Sequence, residues 1–408
     1  MEIVQYFHNW RYYLDMDTFE IGKLRRCIKC GLPETYETIE YTKEGLCNIC
    51  KSAEFKKENI DWDERKKILD KLISKHRGKY EYDCIIPFSG GKDSTFTLLY
   101  LVEEYGIKPL VVRFNHNFYR KTIASNNEKT FKKLGVDVIE FTPNWKIVKK
   151  LMKESFIRKG DFCWHCHTGI YSYPLRVALM YKTPLVFWGE PQSEITAYYD
   201  YDKDEIEWED EKKFNMLRTL GIRSSDMFNM INSEKDPIDL RDLTPYTFPD
   251  EKELIDLGYC SVPLGSFIPW DYKKNTKIIQ EKLDWEIDEV EGVPAFINDH
   301  GEKIECYMQG TRDYIKYLKR GYGRVRQIEA FEVRRNSISP EEANTLSEKF
   351  DGRKPHSLKI FLEYIGMSEE EFEEILKPLV VSPAVEIFKS EEYSEKTWDF
   401  ESWYREIE

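Results

Sequence analysis

The stretch Phe88-Ser89-Gly90-Gly91-Lys92-Asp93-Ser94-Thr95 combines groups suited to holding an anion. Two adjacent glycines let the backbone approach a phosphate closely, and a helix starting after them would present unpaired N–H groups and its positive dipole end. Ser89 and Ser94 add hydroxyl donors and Lys92 a point charge. Lys92 is followed by Asp93 rather than Ser or Thr, so this is not a Walker A loop. A tight strand-to-helix turn with a serine cap would explain the glycines but not the whole string. The segment reads as a phosphate cradle of another kind, exposed at a strand end.

Of nine cysteines, six fall into three C-x-x-C pairs. Cys27, Cys30, Cys47 and Cys50 follow C-x2-C-x16-C-x2-C, a spacing that suits a closed, four-thiolate structural zinc site. Such a metal would supply much of the folding free energy of so short a segment. In the third pair, Cys163 and Cys166 alternate with His165 and His167. Three readings stand there: a second metal site, a persulfide-bearing redox pair, or residues shaping a pocket wall. Cys84, Cys260 and Cys306 sit singly in apolar surroundings and read as inert buried thiols. Glu190 is a candidate for holding magnesium, bonding substrate or acting as a base, and Glu194 is given no role. Arg312, Lys316, Lys319, Arg320 and Arg324 would suit a substrate carboxylate or diphosphate, with a solvated basic helix as the plain alternative.

These groups need elements to place them. From Tyr82 onward, short apolar runs alternate with helical periods. Strands are expected at 82–88, 109–115, 136–143 and 183–190, with helices at 95–107 and 121–135, another after Trp145, and a further helical stretch before the fourth strand. Strands separated by helical crossovers imply a parallel sheet covered on both faces, a doubly wound α/β fold with its ligand at the carboxyl ends of the strands. A charged helix is expected from about Asn59 to Lys79, an acidic and helical stretch at 200–256, and a last strand within 260–271. The rest reads as mostly helical, with EEANTLSEKF and SEEEFEEILKPL the clearest amphipathic pieces.

The 408 residues carry 61 basic and 74 acidic side chains, a net charge of −13 that makes nucleic acid an unlikely partner. Hydrophobic residues at 41% exclude wholesale disorder. The N-terminus lacks a signal-peptide pattern and no run is long and apolar enough to span a membrane, so a cytoplasmic protein is expected.

Ser-Gly-Gly-Lys-Asp-Ser (89–94) resembles the pyrophosphate loop of the ATP pyrophosphatase superfamily. That resemblance implies an adenine nucleotide alpha hydrolase-like sheet, ATP cleavage between the α and β phosphates, magnesium positioned with help from Asp93, and nucleoside contacts from Arg113 and Asn115. Taken in order, Cys-x-x-Cys-Gly-Leu-Pro-Glu-Thr (27–35), Glu-Gly-Leu-Cys-x-x-Cys (44–50) and the loop resemble the N-acetyl sugar amidotransferases of bacterial surface-glycan pathways. So do Cys163–Ile170, Trp188-Gly189-Glu190, Phe267–Asp271 and Tyr317–Arg324. The resemblance implies an ATP-dependent carbon-nitrogen ligase that turns a sugar N-acetyl group into an acetamidino group through an O-adenylated intermediate. Lys92, Asp93 and Glu190 would be catalytic, the substrate an acidic or nucleotide-linked N-acetyl sugar, and the ammonia source a separate glutaminase subunit. The alternative is a sulfur-inserting enzyme, of the tRNA-thiolation kind, with persulfide carried on Cys163 or Cys166. Expected domains are a leader (1–24), a zinc module (25–56), a pyrophosphate-loop domain (57–272) and a mostly helical substrate or assembly region (273–408).

Overall fold

The computed structural model describes residues 24–189, 211–381 and Ser394. Its centre is a five-stranded parallel sheet of order β3-β2-β1-β4-β5. The strands are β1 (Cys84–Pro87), β2 (Pro109–Phe114), β3 (Asp137–Phe141), β4 (Leu185–Trp188) and β5 (Cys260–Pro263). The doubly wound α/β class read from the sequence is borne out. The central strands are apolar apart from Arg113 near the end of β2 because both faces are covered, and their buried side chains alternate between two cores. Ile86, Val111 and Phe187 join one core, while Ile85, Val112 and Val186 join the other.

On the first face lie the helices Lys92–Tyr105, Trp62–His76 and Tyr272–Leu283, and on the second the helix Trp164–Met180. The helix after β1 starts at Lys92 rather than at Thr95, which puts Lys92, Asp93 and Ser94 in its first turn, where backbone donors lack helical partners. The charged helix expected from Asn59 begins at Trp62, because Asp61 caps it by accepting from the Asp63 and Glu64 N–H groups at 3.0 Å. A separate helix, Asn48–Asn59, precedes it. The described part of the acidic stretch holds only short helical pieces: Glu211–Leu217, Ser224–Ile231, the 3-10 turn Leu240–Tyr246, and Glu251–Leu257. Both amphipathic C-terminal pieces are helices, Pro340–Phe350 and Glu369–Leu376.

One apolar core crosses residue 272. Phe96 and Leu99 of the loop helix share it with Ile279, Leu283, Trp285 and Val290. A second core joins Phe156 and Phe162 to Phe361 and Phe372 of the C-terminal helices, with the Phe156 and Phe372 rings stacked 5.2 Å apart. The cysteine segment rests on Tyr322 and on Ala330 of the helix Arg324–Arg335.

Candidate functional site

Strand order reverses between β1 and β4, and the phosphate loop follows β1 at that switch point. Gly189, just after β4, packs against the backbone of Asp93; a side chain there would press on it at 3.2 Å. Gly90 has φ +89°, a region open to glycine, and a side-chain carbon on it would overlap Asn127. The loop's donors are spent internally: Gly90 N–H donates to Ser94 Oγ and Gly91 N–H to Ser89 Oγ, both at 3.2 Å. An entering phosphate would exchange these weak internal bonds for charge-assisted ones.

Lys92 is not exposed, contrary to the sequence expectation. It is 6% accessible, because the segment from 285 to 308 folds back over the loop. Its ammonium lies 2.5 Å from Asp93 and 2.7 Å from Glu302. Burial works against that charge, but the two carboxylates outweigh it and hold the ammonium above its ordinary range. Burial likewise opposes ionisation of Glu302, yet Lys92, Lys303 and Arg324 keep its carboxyl well below the usual range. Sequence reasoning missed this overlying segment. Trp285 Nε1 donates to the Gly90 carbonyl at 3.2 Å, and a side chain on Gly91 would overlap the Glu305 carboxylate. Asn126 exchanges two hydrogen bonds with the backbone of Glu286, and Tyr119 bridges to Cys306. No motif marks residues this distant in the chain; only the acidic Glu302 and Glu305 near the basic loop offered a signal.

Arg113 and Asn115 stand at the carboxyl end of β2, where both engage Glu140 of β3, Arg113 by an ion pair and Asn115 at 3.3 Å. Glu190 lies outside the described residues. Cys163 precedes the helix Trp164–Met180, and its N–H donates to Asp161 Oδ1 at 2.8 Å. Burial pushes the Cys166 thiol up to about 12 and the Cys306 thiol to about 11. It pushes His165 down to about 4 and His167 to about 3. Cys306, read from the sequence as inert, is within electrostatic reach of Cys163 and Cys166. Among the described residues, Cys163, His165, Cys166 and His167 do not gather three donor atoms within 4.8 Å. Side chains of successive helical residues diverge by about 100°, so one turn cannot close a ligand set unaided. These four residues sit together at the start of that helix.

The basic residues separate by role. Arg312 is half-buried beside Cys163, Asp161 and Cys166. Lys316 is 3.0 Å from Asp313 and 2.6 Å from Gln327. Arg324 forks onto Asp313 at 3.0 and 3.2 Å and lies 3.9 Å from Glu302. The other two are placed elsewhere. Lys319 donates to the carbonyls of Lys159 and Gly160 at a helix end, and Arg320 pairs with Glu37 of the cysteine segment. Each thus has a structural partner within the chain.

Cys27, Cys30, Cys47 and Cys50 converge with all four sulfurs within 4.8 Å, and each is at most 3% accessible. The Cys27–Cys50 and Cys30–Cys47 separations are 3.9 and 3.7 Å. Gly31 N–H donates to Cys27 O at 3.0 Å and Cys50 N–H to Cys47 Sγ at 3.4 Å, the turns of two knuckles. This is a closed set able to hold a metal ion. It docks through Arg26 on the Gly321 carbonyl at 3.0 Å, Thr35 on the Arg320 carbonyl, and Tyr36 against Tyr322.

Residues 301–404 match the family model described as LPS biosynthesis protein WbpG-like, C-terminal domain. That match bears out the resemblance to the sugar amidotransferases of glycan biosynthesis. An uncharacterised protein of Methanocaldococcus jannaschii, MJ1599, is 23% identical over 216 residues, 49% of this chain and 76% of that protein. Among solved structures, the U34-tRNA thiolase NcsA from Methanococcus maripaludis with its [4Fe-4S] cluster is loosely similar, with a TM-score of 0.32 and 15% identity. That alignment covers 78% of this chain and 87% of the other. No helix among the described residues is long and apolar enough to cross a membrane.

Proposed function

We propose that this protein is an ATP-dependent amidotransferase that converts the N-acetyl group of an acidic or nucleotide-linked sugar into an acetamidino group, in bacterial surface-glycan biosynthesis. One observation carries the reading. The segment matched to the LPS-biosynthesis domain contains Glu302, Glu305 and Arg324, and Glu302 closes on Lys92 of the 89–94 loop, which supports reading the two as parts of one site.

In the proposed reaction the amide oxygen attacks the α-phosphate of ATP and pyrophosphate leaves toward the loop. Ammonia then adds to the imidate carbon and AMP departs. The amide oxygen becomes a good leaving group only by this activation. Loop N–H groups, Ser89, Ser94 and Lys92 receive the charge on the departing pyrophosphate once the anion has drawn them from their internal bonds. Magnesium, when bound, would neutralise phosphate charge, and the Asp93 and Glu302 carboxylates that now converge on Lys92 would hold it. Arg312 would meet a substrate carboxylate at the Cys163–His167 wall. The four-cysteine centre is assigned to zinc, because thiolates about 2.3 Å from a tetrahedral ion sit about 3.8 Å apart, and the sulfur separations here are 3.7 and 3.9 Å. Ammonia comes from a separate glutaminase subunit or from solution.

The test is incubation with ATP, magnesium, isotopically labelled ammonium and candidate N-acetyl sugars, read by mass spectrometry. Label in the sugar together with AMP and pyrophosphate is expected. Sulfur entering a product from a persulfide donor, with no nitrogen incorporated, would replace this reading by sulfur insertion through Cys163 or Cys166.

A further inference from the structure

Behind the phosphate loop, the helix Lys121–Leu134 turns two neighbouring carboxamides toward different tasks. Asn126 makes both of its bonds, to the carbonyl and the N–H of Glu286 at 2.8 and 2.9 Å. Asn127 makes none: it is 3% accessible, and neither Nδ2 nor Oδ1 has a partner. One turn further, the fully buried Thr130 hydroxyl is also unpartnered. A buried polar group left unmet destabilises the fold, and a leucine of the same branched shape would avoid that cost. The place Asn127 occupies supplies a reason to keep it. Its Oδ1 fills the space where a side chain of Gly90 would start. The peptide groups of Gly90 are held on other sides, its carbonyl by Trp285 and its N–H by Ser94, at 3.2 Å each.

We infer that Asn127 is a positioning residue of the loop, whose carboxamide gains its hydrogen bonds when pyrophosphate occupies the cradle. The inference rests on the loop reading given above. An anion draws the Gly90 and Gly91 N–H groups and the two serine hydroxyls away from each other and onto its own oxygens. The Gly90 peptide then reorients against the helix behind it, and the adjacent carboxamide offers both a donor and an acceptor to fix the new conformation. The cost of an unmet amide in the empty protein becomes part of the affinity for the filled one.

Stability and binding should therefore move in opposite directions. Asn127→Leu should melt no lower than wild type without ligand, yet bind inorganic pyrophosphate with magnesium about tenfold more weakly by calorimetry, a loss of about 1.4 kcal/mol. AMP lacks the pyrophosphate group, and its affinity should stay unchanged. If Asn127→Leu does not fold, Asn127→Ala should show the same contrast between pyrophosphate and AMP. Unchanged pyrophosphate affinity overturns the inference. So does a lower melting temperature with equal weakening toward both ligands, the result expected if a buried water already satisfies the carboxamide and the residue is purely structural. Wild-type protein that binds no pyrophosphate removes the loop assignment itself and this inference with it.

Discussion

Lys92 owes its charge to two carboxylates, and that pairing sets what its removal does. In Lys92→Ala, Asp93 and half-buried Glu302 lose their shared, buried cation, so pyrophosphate release should vanish and stability should also fall by about 3 kcal/mol, the scale for breaking a largely buried pair. Adding Glu302→Gln should recover much of the stability and none of the turnover, as read by denaturant melts beside a pyrophosphate assay. Full stability in Lys92→Ala would mean the ion pair contributes nothing. Two buried histidines, His165 and its neighbour His116 in the stretch after β2, give a second residue-level expectation. Burial lowers His116 to about 3 and His165 to about 4, so between pH 4 and 6.5 the unfolded chain binds protons that the folded chain refuses. Stability should rise with pH across that window and be lost on acidification through it. His165→Gln should flatten the slope by about one proton; an unchanged slope would count against the burial argument.

At the level of elements, the turn from Arg320 to Arg324 connects the cysteine centre to the phosphate loop. Arg320 and Gly321 receive Glu37, Thr35 and Arg26 from the cysteine segment, while Arg324 reaches Glu302 and through it Lys92. Cys27→Ser or Cys47→Ser should therefore lose about one metal ion per chain and open the segment to proteolysis. Pyrophosphate affinity should weaken too, although no cysteine of the centre touches the loop. Elemental analysis, limited proteolysis and calorimetry on the same samples check this chain of effects. Full metal occupancy in both variants would place the metal elsewhere, and intact affinity in a metal-free variant would show that the turn transmits nothing.

For the whole molecule, the loop is walled by chain from both sides of residue 272. Trp285, Glu302 and Glu305 cover the loop, while Ile279 and Leu283 complete the core of its helix. A chain truncated after Asp271 should expose that core, aggregate or melt without cooperativity, and fail to bind pyrophosphate. Cooperative unfolding with retained pyrophosphate binding would mean that the first 271 residues are self-sufficient.

Local chemistry made much of this legible in the sequence. The glycine pair ahead of a helix, the knuckle spacing and the alternation of apolar strands with helices each depend on neighbouring residues, and each is present, although the helix after the glycines starts at Lys92, three residues before the expected Thr95. The order of the strands, by contrast, and the closure of residues 285–308 over the loop depend on contacts between residues far apart in the chain. Periodicity carries no record of such contacts, so Glu302, Glu305, Trp285 and Asn127 had no motif to announce them. The tertiary structure likewise decided which partner each cation meets. Lys319 and Arg320 look like Arg312 in sequence, but a helix end takes one and Glu37 the other, because a buried charge must find a partner wherever folding places it.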